Sequence, residues 1–119
     1  MSVVEQCARA HVLTDTDDRP EDEQRVVPVI LRYDPDSDPR SVRIDLPGTH
    51  EWSFDRSLLE QGLRAPAGSG SVRVWPCGRV QAVVEFHDTD GVAVVQFDSK
   101  ALVRFLRRTY LATPVGTTR

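Results

Sequence analysis

Short segments in which apolar and polar residues alternate constrain the fold of this 119-residue chain more than any other feature. The apolar positions of two such segments are Val80, Ala82, Val84 and Phe86, and Val42, Ile44 and Leu46. A period of two places these side chains on one face of a β-strand. After the first segment, Asp90-Gly91 favours a tight reversal with positive φ. The pattern therefore predicts half-buried strands joined by hairpin turns.

The rest of the chain extends this pattern. Further strands are predicted at 3–13, 26–33, 51–54, 72–75 and 92–97, and helices at 55–62 and 99–110. Asp55 is the predicted side-chain N-cap of the first helix, Gly62 its C-terminal stop, and 64–70 a loop. The connections are too short or too acidic to hold the crossover helices of a parallel sheet. We expect an α+β fold with a curved antiparallel sheet of six to seven strands and two helices.

Length and charge indicate one domain spanning residues 1–119. Residues 14–25 are expected to form an acidic mobile loop, because six acids and one base occupy 15–23. Residues 113–119 are expected to fray as a tail. The chain has no apolar run of about 20 residues and no signal-peptide pattern in its first ten, so we expect no transmembrane segment and a cytoplasmic location.

No residue pattern concentrates the groups that catalysis or metal binding needs, so we predict no enzyme activity, no cofactor and no metal. The alternating Asp34, Asp36 and Asp38 start like a calcium loop but lack its later ligands, which favours a solvated turn. Cys7 and Cys77 are expected to be small thiols, buried or half-buried, because no second ligand lies near either one.

The last predicted helix carries the first candidate binding surface. Its apolar stripe is Leu102, Phe105, Leu106 and Thr109, and its opposite side carries Lys100, Arg104, Arg107 and Arg108. A basic helix face is either simply solvated or suited to an acidic protein partner or a phosphate backbone. We take Arg104, Arg107 and Arg108 as candidate partner-binding residues.

Three large aromatic side chains near the middle of the chain form the second candidate. Trp52, Phe54 and Trp75 belong either to the core or to an interface hot spot, because tryptophan serves both roles. Trp52 and Trp75 are therefore kept as candidate partner-binding residues.

A long ordered motif follows from Trp52 to Pro76. It consists of Trp52-x-Phe54-x-Arg56-x-Leu58-Leu59-x-x-Gly62-Leu63, then Pro66, Gly68 and Gly70, then Val72-x-Val74-x-Pro76. This motif closely resembles the SsgA-like family, the sporulation and cell-division regulators of streptomycetes and other actinomycetes. The resemblance covers roughly residues 7–116.

The resemblance implies a bell-shaped homotrimer, similar to the plant "whirly" proteins that bind single-stranded nucleic acid. It implies a non-enzymatic adaptor of sporulation-specific division that is concentrated at the septum. The implied partners are the tubulin-like protein FtsZ or a paralogous SsgA-like protein, and cell-wall remodelling enzymes. The alternative is a single-strand nucleic-acid binder of whirly-like shape, against which the negative net charge argues.

Overall fold

The computed structural model describes residues 3–13, 25–46, 51–88 and 91–112. Within these ranges lie eight strands: β1 (Val4–Val12), β2 (Arg25–Tyr33), β3 (Ser41–Asp45), β4 (Glu51–Asp55), β5 (Ala67–Ser69), β6 (Val72–Cys77), β7 (Gln81–Asp88) and β8 (Gly91–Asp98). The two helices are α1 (Arg56–Gly62) and α2 (Ser99–Ala112). The predicted α+β class is confirmed, with one strand more than expected.

All eight strands form one antiparallel sheet in the order β4-β3-β2-β1-β8-β7-β6-β5. The first and last strands pair at its centre, where Ala10 lies opposite Phe97 and Val12 opposite Val95. Successive neighbours then run outward to the edge strands β4 and β5. Most strands thus pair with their neighbours in sequence, and the pairing of β1 with β8 joins the two halves of the sheet.

The sheet is strongly curled. Trp52 on the edge strand β4 stacks on Phe86 of β7, with ring centroids 4.6 Å apart and an angle of 16° between the rings. Phe54, also on β4, lies 6.1 Å from the same ring. Since β4 and β7 stand five places apart in the sheet, only a curled sheet brings these rings together. This confirms the curvature expected for the sheet.

Both helices contribute to the core on the concave side of the sheet. α1 packs against β5 and β6, and α2 against β1, β7 and β8. Leu58 and Leu59 from α1 and Leu102, Phe105 and Leu106 from α2 are buried in one apolar cluster with the inward residues of the strands. The opposite face of the sheet, called the outer face below, receives no helix among the described elements.

The prediction of a plain loop at 64–70 was wrong, because Ala67–Ser69 forms the edge strand β5 and pairs with β6. Gly68 within β5 and Gly70 just after it disfavour a strand by sequence, because glycine is depleted in strands. Gly70 has φ +59° and so begins the turn into β6. Val80, predicted to continue the buried face of β7, instead lies in the turn before that strand and is 61% exposed.

The helix ends differ partly from prediction. Asp98 caps α2, since its Oδ1 accepts the Lys100 backbone N–H at 3.2 Å. Asp55 occupies the N-cap position of α1, but its side chain makes no capping hydrogen bond. Its backbone still belongs to β4, paired with Ser41, which directs its carboxylate to the outer face. The first α1 amide, that of Arg56, donates instead to the Arg40 carbonyl at 2.7 Å.

Gly62 is buried as the last residue of α1, and its role is close packing. A Cβ at this position would lie 2.3 Å from the Val74 Cβ on β6. α1 ends at Gly62, as predicted, but without the positive φ of a glycine stop, since Gly70 and Gly78 are the glycines with positive φ among the described residues. The absent side chain lets α1 approach the sheet.

The aspartate-rich segment forms a turn, as predicted. Asp34 Oδ1 accepts the backbone N–H groups of Asp36 at 3.0 Å and Ser37 at 3.3 Å. The hydrogen bond from Asp36 is the main cause that holds the pKa of Asp34 below its ordinary value. The carboxylate is therefore engaged by its own backbone.

The expectation for the two thiols was wrong, because Cys7 and Cys77 are both exposed. Cys7 lies on the outer face of β1, and Cys77 ends β6 on the same face. Neither is covered because both helices pack on the opposite side of the sheet. Small hydrophobic side chains are buried only where another layer meets them.

Two predicted segments lie outside the described residues: the acidic loop, apart from Arg25, and the tail at 113–119. Arg25 itself belongs to β2, opposite Val12. Residues 47–50, where Pro47-Gly48 predicts a turn, and residues 89–90 also lie outside. The hairpin predicted between the last two strands is confirmed by its flanks, since Asp88 and Gly91 are paired. The positive φ predicted for Asp90-Gly91 stays a prediction, because residue 90 lies outside the described ranges.

Candidate interaction surface on the terminal helix

The outward face of α2 is the main candidate site. Leu102, Phe105, Leu106 and Thr109 are buried, as the predicted stripe requires. Lys100, Arg104, Arg107 and Arg108 are all exposed. The first turn of α2 carries no acid, and no Asp or Glu occurs anywhere in Ser99–Ala112. All charged residues of α2 are therefore basic.

Three contacts hold the start of α2 against the sheet. The Ser99 backbone N–H donates to the Val80 carbonyl at 2.8 Å. The Gln6 side-chain amide donates to the Ala101 carbonyl at 2.9 Å. The Ser99 bond and the Asp98 cap satisfy N–H groups that a helix N-terminus leaves open, and the Gln6 bond ties the first turn of α2 to β1. They set the rotation of α2 and so determine which residues point outward.

The three candidate arginines are not equivalent. The Arg108 guanidinium donates to the Glu5 carbonyl at 3.2 Å and to Gln6 Oε1 at 3.4 Å, so it is held against β1. The side chains of Arg104 and Arg107 make no hydrogen bond or ion pair with any other residue that the structure describes. Their charged groups thus remain available to a partner, whereas Arg108 has a contact within the chain.

Apolar side chains stand between these charges, which the sequence analysis missed. Leu111 is 81% exposed, and Val103 and Tyr110 are also exposed. Val103, Arg107 and Leu111 follow one another at four-residue spacing, so they form a row along the helix. The signal that could have shown them is their position on the helical wheel opposite the buried stripe. The face thus combines positive charge with apolar contact area, as protein interfaces do.

Arg56 anchors the C-terminal half of α2. Its guanidinium lies 3.9 Å from the centroid of the Tyr110 ring and 5.2 Å from that of Tyr33. It also donates to the Tyr33 hydroxyl at 3.3 Å and to Thr109 Oγ1 at 3.4 Å. One side chain of α1 is thereby bound to β2 and α2 at once.

Tyr110 is also bound through its hydroxyl. It donates a short hydrogen bond to Glu60 Oε1 on α1. This bond is the main cause that raises the pKa of Tyr110 above its ordinary value of 10.0, and partial burial adds to it. The Arg56 guanidinium acts in the opposite direction.

The structure separates the two candidate tryptophans. Trp52 faces the concave side, stacked on Phe86 and packed against the core. Trp75 is half-buried on the outer face, opposite Val83. Neither belongs to the α2 surface, so the five candidate residues do not form one site. Trp52 fits the core alternative, and Trp75 is the tryptophan available on the surface.

The described residues offer neither a metal site nor a membrane-spanning helix. Among the described residues, no three His, Cys, Asp or Glu side chains are grouped so that they could hold a metal ion. No helix in the described part of the chain combines the length and apolar character needed to cross a bilayer.

The comparisons with known proteins agree with one another. A family model described as "Streptomyces sporulation and cell division protein, SsgA" matches residues 27–118. The sporulation-specific cell division protein SsgB of Streptomyces coelicolor is 40% identical over 98 residues, which are 76% of this chain and 71% of that protein. SsgB of Frankia casuarinae is 37% identical over 98 residues, 76% of this chain and 67% of that protein.

Solved structures show the same similarity. A structure described with the words "Mutations in SsgB correlate to longitudinal cell division during sporulation of Streptomyces coelicolor" has a TM-score of 0.81 and 34% identity, and covers 98% of this chain and 90% of that one. An SsgA-like sporulation-specific cell division protein from Thermobifida fusca has a TM-score of 0.78 and 26% identity, and covers 97% and 85%.

Proposed function

The chain belongs to the SsgA family of sporulation and cell division proteins, and from that premise we propose that it acts as a non-enzymatic adaptor, binding partner proteins through the basic face of α2. Its role as a regulator of sporulation-specific cell division is the one that its relatives share. The proposal concerns how it performs that role, where, and with which partners.

The observation that carries the proposal is the pair of unengaged arginines beside apolar side chains. Arg104 and Arg107 are exposed without a partner among the described residues, and Leu111 lies beside them. Arginine binds carboxylates through a planar fork of donors, with charge-assisted hydrogen bonds that are stronger than neutral ones. Repulsion between neighbouring arginines on one helix is also relieved when a partner carboxylate approaches. The partner surface should therefore be acidic.

The proposed partners are FtsZ or a paralogous SsgA-like protein, and cell-wall remodelling enzymes. The proposed location is the cytoplasm, concentrated at the division septum. In this proposal the chain works as a homotrimer of single-domain subunits with a whirly-like shape. Positioning of the septum then follows from which acidic surface α2 engages, because electrostatic complementarity governs partner choice and association rate.

Single-stranded nucleic acid is a less suitable ligand. Binding of that kind uses aromatic rings on which bases stack. Trp52 and Phe54 pack against Phe86 on the concave side, and Glu51 and Asp55 occupy the outer face of the same strand. The aromatic pair of β4 thus faces inward and the acids face outward.

Charge reversal tests the proposal. The double variant Arg104→Glu/Arg107→Glu reverses the charge of the two exposed arginines of α2. The matched control Arg64→Glu/Arg79→Glu reverses two other exposed arginines. Adding Arg108→Glu tests whether the anchored arginine also contributes. We expect the α2 variant to fold and assemble normally but to lose septal localisation of a fluorescent fusion in sporulating cells, while the control retains it.

Three outcomes would contradict the proposal. If the folded α2 double variant localises normally, the basic face is simply solvated and binds no partner at the septum. Loss of stability or assembly in that variant means that the arginines bind within the protein, for example to the acidic residues at 15–23. Salt-sensitive binding of an oligonucleotide that the double variant abolishes would favour the nucleic-acid alternative.

A further inference from the structure

A second surface feature lies at the opposite end of the sheet from β4. An open groove of ≈ 700 Å³ runs along the edge strand β5 and the outer face of its neighbours. It is lined by Gly68, Arg73, Trp75 and Glu85, together with the segment from Pro66 to Gly70. The register explains this grouping, because Gly68, Arg73 and Glu85 lie side by side on three consecutive strands.

The backbone of β5 forms one wall of the groove. β5 ends the strand order, so one of its sides pairs with no strand among those described. An edge of this kind presents backbone N–H and C=O groups that another extended chain can bind. Gly68 has no side chain, and the stem of Arg73 lies over it, since a Cβ at Gly68 would lie 3.2 Å from the Arg73 Cγ.

The side chains of the groove define the chemistry of its occupant. Trp75 is half-buried and provides an apolar wall. Glu85 is engaged, since its Oε2 lies 2.9 Å from His87 Nε2. The side chain of Arg73 is exposed and makes no hydrogen bond or ion pair with another residue in the described ranges. The unengaged charge of the groove is therefore positive.

We propose that this groove binds an extended, acidic peptide segment of a partner protein, which adds as a further strand beside β5. An apolar side chain of the peptide contacts Trp75, and a neighbouring carboxylate pairs with Arg73, whose stem already covers Gly68. Main-chain hydrogen bonds supply affinity in this mode, and the side-chain pockets supply specificity. The site is separate from the basic face of α2, so it does not depend on the function proposed for that face.

The test uses a random dodecapeptide phage library selected on the wild-type chain. The selected peptide is then synthesised and titrated into isotopically labelled protein, with chemical shifts followed by NMR. Arg79→Glu is the matched control, because Arg79 is exposed in the β6–β7 turn and does not line the groove. Arg73→Gln serves as a second variant if the reversed charge prevents folding.

We expect selected peptides to combine acidic with apolar residues and to shift the signals of Ala67, Gly68, Ser69 and the Trp75 indole. The affinity of the selected peptide should fall at least about tenfold in the Arg73 variants, because one charged hydrogen bond is lost. In Arg79→Glu it should remain unchanged. Peptides that shift the signals of α2 instead, or that bind the Arg73 variants equally, would overturn the proposal. So would a change of oligomeric state in Arg73→Glu, since the groove would then hold a second copy of the chain.

Discussion

At the residue scale, Asp45 and Glu51 place two carboxyl groups opposite each other across β3 and β4. Burial is the main cause that raises the pKa of Asp45 above its ordinary value of 3.8, and Glu51 raises it further. Arg43 and Arg32 act in the opposite direction. Asp45 Oδ1 is also buried without a hydrogen-bond partner among the described groups. The charged form of Asp45 therefore opposes folding.

We predict that Asp45→Asn raises the free energy of unfolding at neutral pH by about 0.2–1 kcal/mol, the usual cost of facing like charges. Because the folded pKa is raised, the wild type should regain stability as the pH falls through that pKa toward 3.8. The advantage of the variant should therefore shrink in acid. Urea denaturation at several pH values measures this, with Asp36→Asn as an exposed control. An equal gain at every pH would contradict the electrostatic explanation.

The hydrogen bond between Tyr110 and Glu60 gives a second pH dependence with the opposite window. The fold holds the phenol proton more tightly than the unfolded chain does, because the pKa of Tyr110 is raised above 10.0. The stabilisation is complete below pH 10.0 and is lost as the pH rises through the raised pKa. The free energy of unfolding of Tyr110→Phe should fall less steeply with rising alkaline pH than that of wild type. The slope for Glu60→Gln should lie between the two. Parallel curves for wild type and Tyr110→Phe would show that this bond contributes nothing.

At the element scale, α2 has two faces with different tasks. The buried face packs on β1, β7 and β8, and the exposed face carries the proposed docking residues. The buried and the exposed residues of α2 are different residues, so a substitution on one face can be compared with a matched substitution on the other. The same helix thus offers its own controls.

We predict that Leu106→Ala lowers the free energy of unfolding by about 2–5 kcal/mol, because it removes a buried side chain and leaves a cavity. Leu111→Ala is the control, since Leu111 on the same helix is 81% exposed and its truncation leaves no cavity. Thermal and urea denaturation compare the two. A melting temperature of Leu106→Ala equal to that of wild type would mean that α2 is not docked as described.

Close packing of α1 gives the fourth prediction. Gly62→Ala places a methyl group 2.3 Å from the Val74 Cβ, so α1 or β6 must shift. We expect a loss of about 1–3 kcal/mol, the usual cost of overpacking, although alanine is the better helix former. Gln61→Ala, at the exposed neighbouring position, controls for helix propensity. A gain in stability for Gly62→Ala would show that propensity outweighs the contact.

At the scale of the whole molecule, the outer face of the sheet is the main surface that the described helices leave open. Val83 on this face is only 2% exposed, whereas Val92 on the neighbouring strand is exposed and Val94 is half-buried. Residues 92–95 are apolar on both faces of β8, but the single chain covers only Val95 fully. Exposed apolar area of this kind favours association.

We therefore predict that the protein self-associates, most simply as a trimer with three times the 13.3 kDa mass of one chain. Multi-angle light scattering at micromolar concentration measures the mass. Val92→Asp should weaken association, because it places a charge on the open face, whereas Arg79→Asp in an exposed turn should not. A monomeric mass for the wild type would contradict the prediction.

Local sequence determined the elements whose physical signal is local. The alternation in β7 and the spacing of Leu102, Phe105 and Leu106 each placed an element correctly, because strand and helix periods are properties of neighbouring residues. The same stripe also determined that Arg104 and Arg107 point outward. The strand β5 was missed, since a three-residue glycine-containing strand exists only through its pairing with β6.

Tertiary structure decided everything that depends on distant residues. The curl of the sheet placed Trp52 on Phe86 and so assigned it to the core, while Trp75, of the same residue type, was left on the outer face. Packing of both helices on one side exposed Cys7 and Cys77, and packing of α1 against Val74 gave Gly62 its role. Contact with β1 separated Arg108 from its two neighbours. Local patterns determine which way a side chain points from its own element. Which residues it then meets depends on tertiary contacts between distant parts of the chain, such as the pairing of β1 with β8.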